Sequence, residues 1–240
     1  MLLYIIRHAQ STNNALADAS ARVCDPPLTE LGWRQAELLG QHLLAGVNLD
    51  PLWSGDPASL HRNGHGYTIH RLFCSPMRRT LQTGDVIGRA LGLTPEVWVD
   101  IHEEGGIWLD HGGEIGAVGY PGMTRGEILA GFPGFILPQE ITETGWWRSG
   151  REDAPAVRAR AERVARTLRG WAKRDERIAL VTHGAFTSYL LRALLEQPPS
   201  LPTFYHQDNT GMTLVRFWPD DALSLRYLNR VDHLPVELIT

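Results

Sequence analysis

Lysine is almost absent from this 240-residue chain. Lys173 is the only one, and the other 22 of the 23 basic side chains are arginine. Such a bias reflects base composition and by itself names no function. Cysteine is scarce too. Cys24 and Cys74 form no C-x-x-C pair, which fits a reducing compartment or no dependence on disulfides. There is no basic excess, since the net charge is −4. A broad cationic field for nucleic acid is thereby excluded, but a local cationic pocket is not. Long apolar runs are missing as well. The opening run Leu2 to Ile6 stops at Arg7, too short for a signal core or a membrane span. The reading is a cytoplasmic protein with neither membrane nor nucleic acid as partner.

What is present is ordinary for a globular protein: 43% hydrophobic and 21% charged residues. The length suits one α/β domain over 1–240, with an insertion or lid at about 105–150. The run Leu2 to Ile6 reads as a strand buried on both faces, as in a parallel sheet. Thr29 to Leu44 reads as a helix capped by Thr29, with Leu31, Leu38, Leu39, His42 and Leu43 in one stripe. Residues 45–68 read as a long loop. A strand over Ile69 to Ser75 precedes a helix over Met77 to Leu91, closed by Gly92. Pro95 to Val99 reads as a short strand.

Residues 105–150 are rich in glycine and show little periodicity. Ala154 to Lys173 is amphipathic: Val157, Ala161, Val164, Leu168 and Trp171 share one face, and arginines cover the other. A buried-type strand over Arg177 to Thr182 leads to a helix over Thr187 to Leu195. Two late strands, Thr213 to Trp218 and Leu223 to Leu228, form a possible hairpin. This alternation predicts a three-layer α-β-α sandwich with a mostly parallel central sheet.

Ligands of such sheets bind outside the carboxyl ends of the strands. Three expected strands end in chemistry. The first ends in Arg7-His8, the second leads from Ser75 to Arg78-Arg79, and the late one ends in His183-Gly184. If the strands are neighbours, two imidazoles and at least two guanidiniums share a pocket. Guanidiniums present forked donors matched to phosphate oxygens. A neutral imidazole nitrogen can attack phosphorus, dividing one displacement into two. The leaving oxygen then needs a proton. Ile101-His102-Glu103-Glu104 follows the third strand, and a carboxyl there can be the acid if burial or its neighbour preserves its proton.

These residues resemble a family. Arg7-His8-Ala9-Gln10-Ser11-Thr12-Asn13-Asn14 is similar to the signature of the histidine phosphatase (phosphoglycerate mutase-like) superfamily, which usually writes Arg-His-Gly. Leu28-Thr29-x-x-Gly32-x-x-Gln35-Ala36, Ser75-x-x-x-Arg79-x-x-x-Thr83, Ile101-His102-Glu103, Thr182-His183-Gly184 and Asp208-Asn209-Thr210 resemble its later motifs, in its order. The resemblance implies that His8 is the phosphorylated nucleophile. Arg7, Arg79 and His183 hold the phosphoryl oxygens, Asn14 assists, and Glu103 is the acid/base. The Ser75 and Thr83 spacings select Arg79 over Arg78. Ala9 departs from the usual glycine, and a positive φ there would be costly.

The activity implied is metal-independent hydrolysis of a small phosphorylated substrate, with no cofactor; oligomeric state stays open. The alternatives are a mutase returning the phosphoryl group to another hydroxyl, and a non-catalytic domain binding phospho-ligands or proteins. The continuation Glu104-Gly105-Gly106-Ile107-Trp108 differs from that of the family's mutases and favours a phosphatase. His61, His65 and His70 match no zinc spacing. His102 and His111 flank the acid region. Trp108, Trp146, Trp147, Phe132 and Phe135 either pack the insertion onto the sheet or line the entrance, and Arg125, Arg148 and Arg151 are candidates for a second anionic group.

Overall fold

The computed structural model describes residues 1–46, 66–201, 203–218 and 220–240. His61, His65 and most of the expected 45–68 loop lie outside the described residues.

In chain order, Leu2–Arg7 (β1) is followed by Glu30–Ala45 (α1), Arg71–Cys74 (β2), Arg78–Leu91 (α2) and Glu96–Val97 (β3). The hairpin Trp108–Asp110 (β4) and Ala117–Gly119 (β5) precedes Arg125–Gly131 (α3) and Ala154–Gly170 (α4). Arg177–Thr182 (β6), Gly184–Leu194 (α5), Met212–Phe217 (β7) and Leu223–Arg230 (β8) complete the fold.

The main sheet runs β3-β2-β6-β1-β7-β8. Its first four strands are parallel, and β7 and β8 are added antiparallel. Alternation of side chains splits the core between two faces. Tyr4, Ile6, Leu72, Cys74, Ala179 and Val181 meet Leu39 and Leu43 of α1 and Leu81 and Ile87 of α2. Leu3, Ile5, Phe73, Ile178 and Leu180 meet Ala161, Val164 and Leu168 of α4 and Phe186 and Leu190 of α5. This is the expected three-layer α-β-α arrangement. Because α1 and α5 lie on opposite faces, the chain leaves the ends of neighbouring β1 and β6 in opposite directions. A crevice opens at such a switch point.

Several elements differ from expectation for identifiable reasons. The strand over 95–99 shortens to β3: Trp98 N–H makes the last ladder bond, to the Cys74 carbonyl (2.9 Å), and a 3-10 turn follows at Val99–Ile101. α5 starts at Gly184, with His183 as N-cap. The 105–150 segment carries the β4–β5 hairpin and α3, whose Thr124 and Glu127 form a capping box. Its Ile107, Ile128, Phe132, Phe135 and Trp146 join the core on the α1–α2 face. The buried stripe of α1 is Gly32, Gln35, Ala36, Leu39, Gly40 and Leu43. Leu31 and Leu38 are displaced to its margins because the helix lies against the backbone after β1.

That close approach depends on Gly32, where a Cβ would lie 2.1 Å from the Gln10 carbonyl oxygen. A rigid backbone atom cannot yield as a flexible side-chain end can. Gly32→Ala should therefore cost about 2 kcal/mol, lowering Tm by roughly 6 °C in a calorimetric scan. An unchanged Tm would show that the Gln10 segment can move aside freely.

Candidate active site

The parallel register of β1 and β6 sets Arg7 beside Thr182, and His8 N–H donates to the Thr182 carbonyl (2.9 Å). His8 thus meets His183 where the two strands end. Their ring centroids are 5.2 Å apart, and both side chains are buried. α2 brings Arg79 to the same place, where its Nε–H donates to His8 Nε2 (3.0 Å). A guanidinium can only donate, so Nε2 must be an acceptor. The proton of the neutral ring then sits on Nδ1, 2.7 Å from the Ala9 carbonyl. These partners assign the tautomer that presents the Nε2 lone pair. Burial first, then Arg79 and Arg7, hold His8 well below the usual imidazole range. Burial and Arg79 do the same to His183.

The residues around His8 form a linked set. Thr83 Oγ1 accepts from Ala9 N–H (3.1 Å) and donates to the Arg79 carbonyl (2.8 Å). Ser75 Oγ lies 2.9 Å from His183 Nε2. The Ser75, Arg79 and Thr83 spacing is thus explained: all three support the two histidines. Asn209 Nδ2 donates to the His8 carbonyl (2.9 Å). Gln35 accepts from Gln10 N–H (2.8 Å) and donates to the Leu238 carbonyl (2.8 Å). Ala9 is absent from the residues with positive φ, so replacing the usual glycine brings no strain there.

A cavity of about 350 Å³ opens over this set. Arg7, His8, Asn14, Arg79 and Glu103 all line it. Arg7 donates through Nη1 to the Gln207 carbonyl (2.6 Å), and its Nε is buried without a protein partner. Asn14 Oδ1 accepts from Ser11 N–H (3.0 Å) and Oγ–H (2.9 Å), leaving Nδ2 for a ligand. His183 is wholly buried behind His8 and does not line the cavity; its Nδ1 has no protein partner. Arg22, Trp108, Asp110 and His111 form the outer rim. Trp146 joins the core instead, and Arg151 covers the Trp108 ring at 4.5 Å. Arg125 donates to the Pro138 carbonyl (3.1 Å) and Arg148 to Thr142 Oγ1 (3.3 Å). None of these three arginines lines the cavity. Among the described residues no group of three or more His, Cys, Asp or Glu is placed to hold a metal ion. His70 Nδ1 instead accepts from Arg177 N–H (3.1 Å).

Two helices reach the site without side-chain caps of their own. Carboxylates from distant loops satisfy their exposed N–H groups. Asp25 Oδ1 accepts from Arg78 N–H (2.9 Å) and lies 3.9 Å from Arg79 Nη1. Burial pushes the Asp25 carboxyl up to about 6, despite the opposing pull of Arg79. Glu103 Oε1 accepts from Phe186 N–H (2.9 Å), in the first turn of α5, and from Glu104 N–H (2.9 Å). Burial and the Glu103 charge raise the Glu104 carboxyl.

Sequence reasoning missed Asp25, Gln35 and Arg160 as site-forming residues. Asp25 and Gln35 act through backbone groups, which leave no charge pattern to read. Arg160 was grouped with the solvated arginines of α4, yet it is 2% exposed. Its burial was signalled by its place beside Val157, Ala161 and Val164 on the helix.

A family profile described as histidine phosphatase superfamily (branch 1) matches residues 3–230. The chain belongs to this superfamily. Among curated proteins, Phosphoglycerate mutase-like protein 1 of Arabidopsis thaliana is 24% identical over 224 residues, covering 80% of this chain and 71% of that protein. Among solved structures, a mutant phosphoserine phosphatase from Entamoeba histolytica in complex with phosphoserine superposes with a TM-score of 0.58 at 20% identity, covering 98% of this chain and 99% of that one. A mycobacterial glucosyl-3-phosphoglycerate phosphatase in complex with VO3 gives 0.56 at 23% identity, covering 95% and 98%. Both structural likenesses show a shared fold. No described helix is long and apolar enough to cross a membrane.

One pH dependence follows from Glu152, which pairs with the buried Arg160. Burial opposes its ionisation, but hydrogen bonds from Arg160 outweigh this and bring its carboxyl from 4.5 to about 2. A depressed carboxyl stabilises the fold above its unfolded value and loses that contribution as pH falls through the folded one. Unfolding free energy should therefore drop between pH 4.5 and about 2. Glu152→Gln should shrink the drop in urea titrations over that window; an unchanged drop would assign it to other carboxylates.

Proposed function

We propose that this chain is a metal-independent phosphatase that hydrolyses a phosphate monoester through a phosphohistidine on His8. The observation that carries the reading is the hydrogen bond from Arg79 Nε to His8 Nε2, which makes Nε2 the unprotonated nitrogen of a neutral imidazole and directs it at the guanidinium that an entering phosphoryl group would take over. A buried neutral ring needs no deprotonation before it attacks.

In this mechanism a phosphate ester enters with its anionic oxygens on Arg7, Arg79 and Asn14. His183, which lies behind His8 and does not line the open cavity, donates from its unpartnered Nδ1 to the phosphoryl group once that group is seated against His8. His8 Nε2 forms a bond to phosphorus, and the bond from phosphorus to the ester oxygen breaks. Glu103 gives the departing oxygen its proton through Oε2, the oxygen that holds neither backbone N–H. Water next attacks the phosphohistidine while Glu103 takes its proton. Inorganic phosphate leaves and His8 returns to its starting form. Arg7 and Arg79 supply the positive charge that phosphoryl transfer requires. Superfamily membership and the phosphatases among the structural neighbours support hydrolysis over simple binding.

The Arabidopsis relative's mutase-like name keeps transfer to a second hydroxyl as the other reading. Against it stands the sequence after Glu103, which departs from the family's mutases. Incubation with 3-phosphoglycerate should yield free phosphate; accumulation of 2-phosphoglycerate would establish the mutase instead. His8→Ala should lower turnover of any active phosphate ester by about a thousandfold or more while the circular dichroism spectrum is kept. Unchanged turnover would end the mechanism. Exhaustive chelation should leave kcat unaltered, and a loss restored by added metal would contradict the metal-free reading.

A further inference from the structure

Arg160 lies on α4 and lines no part of the cavity, yet each of its five N–H donors has a partner. Nε and Nη2 form a fork on Glu152 at 2.9 and 2.6 Å. Nη1 donates to the carbonyls of Asp100 and His102, both at 2.8 Å, and Nη2 also reaches the Glu103 carbonyl at 3.4 Å. The guanidinium lies over the Phe186 ring at 4.5 Å. Phe186 is the residue whose N–H holds Glu103 Oε1. Arg160 therefore grips the acid-bearing segment by its backbone and presses on the residue that holds the acid's carboxylate.

Glu152 completes the device. It ends the segment that leaves the sheet after Glu103, and its own N–H donates to the Gly105 carbonyl (3.0 Å). The ends of the 105–150 segment are thus clipped together at the acid. Gly105 and Gly106 adopt φ of 85° and 74°, where a Cβ would collide with Trp108 and Trp147 respectively. The turn after Glu103 is fixed from both sides.

Pairing a buried guanidinium with a partly buried carboxylate is a costly route to stability, since apolar residues of similar size commonly serve as well. Its use here is directional: three donors hold the carbonyls of Asp100, His102 and Glu103, and the other two are locked on Glu152. We propose that the Arg160–Glu152 pair is a positioning element that sets the distance from the Glu103 carboxyl to the leaving-group oxygen. The proposal rests on the reading of Glu103 as proton donor. A lysine at 160 offers three donors from one atom and cannot reproduce the fork.

The test compares leaving groups. Purified full-length wild type, Glu103→Gln, Arg160→Lys and Glu152→Gln are assayed on 4-nitrophenyl phosphate, phenyl phosphate and an alkyl phosphate. Folding is checked by near-ultraviolet circular dichroism and Tm. Only poor leaving groups need the proton, so Glu103→Gln should slow the alkyl ester far more than the nitrophenyl ester. Arg160→Lys and Glu152→Gln should lose about tenfold in kcat/KM on the alkyl ester and less than about threefold on the nitrophenyl ester, as a displaced general acid would.

Equal losses on all three esters in these variants, beside a selective loss in Glu103→Gln, would overturn the proposal and leave the donor assignment standing. Equal losses in Glu103→Gln itself would remove both. If Arg160→Lys does not fold, Glu152→Gln, which keeps the side-chain volume and removes its charge, decides the matter by the same comparison.

Discussion

The hydrogen bond from Arg79 to His8 constrains the rest of the site. Because a guanidinium never accepts, it fixes which imidazole nitrogen carries the proton. It thereby commits Nδ1 to the Ala9 carbonyl and the loop after β1 to one path. Ala9 N–H turns to Thr83, and Thr83 returns to the Arg79 carbonyl one helical turn earlier. Positions four apart on a helix share a face, so one side of α2 can hold both the guanidinium and the hydroxyl that steadies its target. The two neutral histidines follow from the same arrangement. Each is buried and each faces Arg79, and both effects disfavour a charged ring.

Two helix N-termini point at this place, and neither has a cap of its own. Their free N–H groups are met by Asp25 and Glu103, which arrive on loops from elsewhere in the chain. Helix capping here organises the site as well as the helices. The carboxylate on α5 is tied by one oxygen and keeps the other free for chemistry. The carboxylate on α2 stands between a backbone N–H and the Arg79 guanidinium. Two guanidiniums beside these helix ends make the crevice locally cationic without any lysine.

Much of this was legible in the sequence, for reasons that differ by element. The unbroken apolar runs of β1 and β6 marked strands buried on both faces, and polar chemistry placed directly after them marked the crevice. Thr29 and Gly92 behaved as the cap and the stop that their types suggest. The 105–150 segment was less readable. Glycines and prolines masked a three-residue hairpin and a seven-residue helix, although Thr124 and Glu127 carried the capping signature. The α1 stripe was misplaced because leucines outweigh Gly32 and Gln35 in any hydrophobic count. In fact the helix turns its smallest residue and a buried amide toward the backbone beside His8. Arg160 stands on the apolar face of α4, which marks it as buried among the helix's arginines but does not say what it holds. Its partners lie on other elements, beyond the reach of any periodicity.

The strand that carries His8 is synthesised well before the segments that support it. Asn209 reaches the His8 carbonyl across 201 positions, and Gln35 reaches the Leu238 carbonyl across 203. β1 itself pairs with β6 and β7. Contacts this distant in sequence close late and slowly in folding. On the ribosome β1 therefore waits, unpaired, until β6 and β7 have emerged. The set of residues around His8 is among the final features to mature, so half-made chains lack it and are exposed to misassembly at the same time.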